Sequence, residues 1–114
     1  MKNTLILLIM LTFTTFGWVQ NEPREVKSLA IEFHDYEWYT NQFVLWEKEL
    51  KRNKKDEMAW INLYAAARMA RIVAGEMEDK QVWYKKEKEV IEKMSKSIKG
   101  TFAYYRVLAW YNAV

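Results

Sequence analysis

The chain has 114 residues, enough for one domain, and no cysteine, so a disulfide framework is excluded and stability has to come from packing. Six Trp, seven Tyr and five Phe supply large apolar area for that packing. The formal charge of +3 is mild, and Lys and Glu alternate rather than segregate, which argues for solubility and nothing more.

The first element is a targeting segment. Lys2 gives a positive start, Leu5 to Phe16 is an apolar run broken only by threonines, and Thr15-Phe16-Gly17 offers small residues at the two positions a signal peptidase reads. This layout predicts a signal peptide over residues 1–17. The alternative is an uncleaved membrane anchor, although the run is shorter than the roughly 20 apolar residues a comfortable span needs. No cysteine follows it, which excludes a lipoprotein anchor. Residues 18–34 read as a polar leader holding the only proline, Pro23. The leader is either flexible or a short helix from Pro23 to Ala30, docked by Val26, Leu29, Ala30 and Phe33.

Residues 35–114 read as all-α. Asp35 is the N-cap of a helix from Tyr36 to Arg52, with Tyr39, Phe43, Trp46 and Leu50 as its apolar stripe. Asn53 stops it in the left-handed conformation. Asp56 caps the central helix, which runs to about Ala74 and ends at Gly75, with Trp60, Leu63, Ala67, Ala70 and Ala74 on one face. So short a link at Lys54-Lys55 makes these two helices antiparallel neighbours. Glu76 to Asp79 forms the next connection, with Asp79 as N-cap of a third helix from Lys80 to Lys99. Trp83, Val90, Met94 and Ile98 are its buried stripe. Its outer face carries Glu89–Lys93 and Glu92–Lys96 as (i, i+4) pairs in the favourable order. Gly100 stops it, Thr101 caps a fourth helix from Phe102 to about Val114, and no strand signal competes.

The junction Trp46-Glu47-Lys48-Glu49-Leu50-Lys51-Arg52-Asn53-Lys54-Lys55-Asp56-Glu57-Met58-Ala59-Trp60-Ile61-Asn62-Leu63-Tyr64 resembles the junction between tetratricopeptide (TPR) repeats. Trp46, Trp60, Leu63 and Ala67 match that family's positions. Lys54 replaces its turn proline, Tyr64 replaces a small residue, and the link from the central to the third helix reads longer than its tight turn. The order of signal segment, Trp38-Tyr39, Ala59-Trp60-Ile61-Asn62-Leu63-Tyr64 and Thr101-Phe102-Ala103-Tyr104-Tyr105 resembles the N-terminal part of exported repeat proteins of the Bacteroidetes group. The resemblance implies antiparallel helical hairpins in a TPR-like α-solenoid and a concave surface that grips a protein or peptide. The residues exposed there would be Met58, Ile61, Asn62, Ala65, Arg68 and Met69, with Asn62 where that family often bonds ligand backbone.

Competing chemistries are weak. Aromatics interleaved with Lys could stack on single-stranded nucleic acid, but helical spacing makes them core, and export argues against a nucleic-acid partner. Lys51-Arg52-Asn53-Lys54-Lys55 is the densest basic patch, and cations are favoured at a helix C-terminus. Glu76, Glu78 and Asp79 lack the ligand number of a calcium loop, and the single His34 without cysteine makes a zinc site unfavourable. No catalytic motif, metal site or cofactor fingerprint stands out. The fourth helix is apolar all round, which calls for further repeats, self-association or a partner. The sequence thus predicts a non-catalytic, exported protein- or peptide-interaction module of the bacterial periplasm or envelope. Its alternatives are a membrane-anchored accessory protein and an envelope enzyme.

Overall fold

The computed structural model describes residues 22–113; the expected signal peptide, the start of the leader and Val114 lie outside the described residues. Four helices follow in order: α1 Tyr36–Arg52, α2 Glu57–Val73, α3 Met77–Ser97 and α4 Phe102–Asn112. No strand occurs among the described residues, and no helix among them is long and apolar enough to cross a membrane.

Three helix starts are fixed by the side chains the sequence offers. Asp35 accepts the Trp38 N–H, Asp56 the Ala59 N–H, and Thr101 the Tyr104 N–H. Each removes one of the donors that the first turn leaves unpaired. The fourth start differs from expectation. Glu76 holds the cap position of α3 with no side-chain bond, and Glu78 and Asp79 lie inside the first turn. Acidic side chains there favour the positive helix end, so the helix begins earlier than a search for a cap suggests. The link from α2 to α3 is therefore only residues 74–76, shorter than the sequence predicts.

The stops also differ in part. Asn53 is extended (φ −149°), not left-handed, and its N–H continues to the Glu49 carbonyl. Ala74 rather than Gly75 takes the C-cap of α2. Gly100 does stop α3, at φ 91°, where a glycine has no steric penalty.

Short links make sequential helices antiparallel, and helices two apart run parallel. The Trp83 indole N–H donates to the Tyr36 hydroxyl near the starts of α1 and α3 (2.7 Å), and the Ser97 hydroxyl donates to the Lys54 carbonyl near their ends (2.8 Å). In the same way Ala103 N–H meets Glu57 at 3.4 Å and Arg68 meets the Trp110 carbonyl at 3.2 Å, which sets α4 alongside α2.

The centre of this arrangement is α2. Trp60, Leu63, Ala67, Ala70 and Ala74 are all buried, as their spacing predicts. Asn62, Tyr64, Ala65, Ala66 and Met69 are buried as well, so the helix is covered on nearly every side. Its alanines let neighbours approach closely, and Tyr39, Phe43 and Leu50 of α1 and Trp83, Val90 and Met94 of α3 complete one core. The expected Glu89–Lys93 and Glu92–Lys96 ion pairs do not form among the described residues, whose pairs are Lys27–Glu32, His34–Glu32, Arg52–Glu49 and Arg71–Glu87. Around α4, Ala103 and Val107 are buried, while Phe102 and Tyr105 are among the most exposed large apolar side chains.

Candidate functional site

The leader does not form the short helix considered for it. Residues 23–28 have no regular secondary structure, and a turn follows at 29–31. The segment lies on the face of α1 and α2 and is held there by its backbone. Gln42, buried in α1, uses both ends of its amide: Oε1 accepts the Arg24 N–H at 2.7 Å and Nε2 donates to the Glu22 carbonyl at 3.2 Å. One turn later the Trp46 indole N–H donates to the Arg24 carbonyl at 3.0 Å. From α2, Asn62 Oδ1 accepts the Val26 N–H at 2.8 Å, while its Nδ2 donates to the Met58 carbonyl at 2.8 Å and so fixes the amide's orientation.

Glu22, Arg24 and Val26 thus turn backbone groups to the same side, the period of two expected of an extended chain. Val26 is buried and Leu29 is half-buried against the core. Ala30 and Phe33 are exposed, so only two of the four side chains expected to dock do so. His34, the single histidine, stacks on Trp38 with ring centroids 3.6 Å apart and meets Glu32 at 2.8 Å. Among the described residues no group of three His, Cys, Asp or Glu side chains could hold a metal.

Beside the leader lies a cavity of about 330 Å³, walled by residues 25–28 and Ile31 of the leader, by Met58, Ile61, Asn62 and Ala65 of α2, and by Arg106 and Trp110 of α4. Four of the six residues expected to face a ligand therefore come together here. Their exposure is not as expected. Met58 is 55% exposed, but Asn62 and Ala65 are buried because the leader and α4 cover them. Arg68 and Met69 do not line this cavity. Met69 is part of the core. Arg68 donates to the Tyr64 hydroxyl and the Trp110 carbonyl, and its guanidinium lies 5.1 Å from the Trp110 ring centroid, so it fastens the end of α4.

A second polar cluster escapes the sequence. Glu87 of α3 is fully buried. It accepts from the Tyr64 hydroxyl at 3.0 Å and is paired with Arg71 through two guanidinium nitrogens. Burial pushes the Tyr64 hydroxyl pKa well up; the Arg68 hydrogen bond opposes this, and the Glu87 charge adds to it. Glu87 lies at the position between Trp83 and Val90 where the α3 stripe requires a core residue, and that gap is the signal that marks it. The carboxylate is saturated by partners inside the bundle, so the cluster joins α3 to α2.

No family model matches the chain, and comparisons with curated proteins and with solved structures found no match.

Proposed function

We propose that this chain is a non-catalytic peptide- and protein-interaction module of the bacterial envelope or periplasm, built in the TPR manner. The observation that carries this reading is the leader on the α1–α2 face. Gln42, Trp46 and Asn62 grip backbone groups of an extended segment, which makes the hold largely independent of that segment's side chains. Asn62 does for the chain's own leader what the family's Asn does for a ligand backbone. The tight link at residues 74–76 and the parallel pairs α1/α3 and α2/α4 also favour the repeat arrangement. A non-catalytic role is favoured by the saturation of Glu87, the one fully buried carboxylate among the described residues. Export rests on the apolar run at residues 5–16, and N-terminal sequencing of the mature protein, with a start near Trp18, tests it.

Binding is tested with a chain that begins at Ser28 and a peptide of residues 22–28 supplied separately. With helical content intact, saturable binding that Gln42→Ala and Asn62→Ala both weaken supports the groove. A folded bundle that leaves the peptide free in calorimetry rejects it.

A further inference from the structure

A second cavity, of about 570 Å³, opens at the far side of the α1–α2 turn and shares no residue with the leader cavity. Its floor is apolar: Leu50, Trp60 and Leu63. Its rim is five lysines, Lys51, Lys54 and Lys55 from the turn and Lys93 and Lys96 from α3, against a single acid, Glu47. The basic run of the turn, read alone, is a solvated helix end; the fold adds two more lysines from a helix distant in sequence.

Two helix C-termini, of α1 and α3, and the N-terminus of α2 meet here, leaving a net partial charge of about −0.5. That is far too little to balance five ammonium groups and one carboxylate. Among the described residues none of the five lysines forms an ion pair, and the helix-surface pairs open to Lys93 and Lys96 are not made. The mouth is held in place before any ligand arrives. The Lys54 carbonyl accepts from both the Trp60 indole and the Ser97 hydroxyl at 2.8 Å, and Lys55 donates to the Ser97 carbonyl. The volume falls within the roughly 300–1,000 Å³ of small-molecule sites. Lysine stems extend the apolar wall while their heads stay at the rim.

An apolar floor beneath a cationic rim is complementary to one chemistry: we propose that this cavity binds a free alkyl carboxylate, with the chain on Leu50, Trp60 and Leu63 and the carboxylate among the lysines. Lys55, from the α1–α2 turn, and Lys93, from α3, carry the headgroup contact.

The full chain is titrated by calorimetry with dodecanoate below its micelle concentration. Dodecyltrimethylammonium, inorganic phosphate and tetraglutamate are titrated in parallel. The expected result is one saturable dodecanoate site, at least tenfold tighter than any of the three controls and weakened by added salt. Shortening the chain from dodecanoate to decanoate should cost about fourfold per methylene removed. Lys55→Glu with Lys93→Glu should weaken dodecanoate at least tenfold with an unchanged circular dichroism spectrum. Lys85→Glu with Lys88→Glu, an equal charge change at exposed positions of α3 that line neither cavity, should alter it less than twofold. Equal affinity for the two dodecyl ions, tighter binding of phosphate or tetraglutamate, or equal loss in both double variants overturns the proposal.

Discussion

Asn62 Oδ1 accepts the backbone N–H of Val26 at 2.8 Å, across 36 positions of sequence. The same amide is anchored through Nδ2 to Met58, so it cannot turn away without losing a second bond. Asn62→Ala leaves the buried Val26 N–H without its acceptor, a loss of about 1–3 kcal/mol. The expected result is faster hydrogen exchange at Val26 and along residues 22–28, with α1 to α3 still protected. Uniform loss of protection would mean that Asn62 supports the bundle rather than the leader.

Glu87 and Arg71 are an unequal pair, because Glu87 is fully buried and the Arg71 side chain is 30% exposed. Arg71→Met strands a carboxylate inside the protein and should cost about 3–5 kcal/mol in urea denaturation. Glu87→Gln leaves an arginine that can reach water, and about 1–3 kcal/mol is expected. The double change to Met at both positions should be less destabilising than Arg71→Met alone, since it removes the buried charge as well. An equal cost for the two single changes would contradict this asymmetry.

These two relationships mark where the sequence stops being legible. Local periodicity places Trp60, Leu63, Ala67, Trp83 and Met94 in the core, because each lies on a stripe that one helix defines by itself. Gln42 and Glu87 are polar residues on such stripes, and their burial depends on partners 18 and 16 positions away. Their stripe positions set them apart from solvated neighbours such as Lys48 or Glu89, but the partners that make their burial possible are not local. The exposure expected of Asn62 and Ala65 fails for the same reason: the leader that covers them reads in sequence as a loose polar tail. Helix ends are legible where a short acceptor exists, at Asp35, Asp56 and Thr101, and not at Glu76, where none caps.

Tyr64 gives the fold a sensitivity to alkaline pH. Its hydroxyl pKa is raised in the folded chain, first by burial, so the folded state keeps a proton that the unfolded state releases near the ordinary value of 10.0. Stability from this group is complete below that pH and is lost as pH rises beyond it. Between pH 10 and 11 the native chain should lose up to about 1.4 kcal/mol per pH unit more than Tyr64→Phe does. Parallel stability curves for the two chains would show that Tyr64 does not titrate in this way.

Trp60 joins the core to the α1–α2 turn. The residue is 6% exposed, and its indole N–H donates to the Lys54 carbonyl at 2.8 Å. Trp60→Ala removes both functions and should cost about 3–5 kcal/mol. Trp60→Phe keeps most of the apolar ring and loses the hydrogen bond. The Lys54 carbonyl is not orphaned by that change, because Ser97 still donates to it at 2.8 Å. A cost of about 1–2 kcal/mol is therefore expected, with two-state melting retained. Adding Ser97→Ala to Trp60→Phe removes the second donor, and the cost of the double change should exceed the sum of the two single costs because the carbonyl is then left to water alone. Denaturant midpoints of the four chains measure the coupling, and an unchanged midpoint for Trp60→Ala would rule out its place in the core.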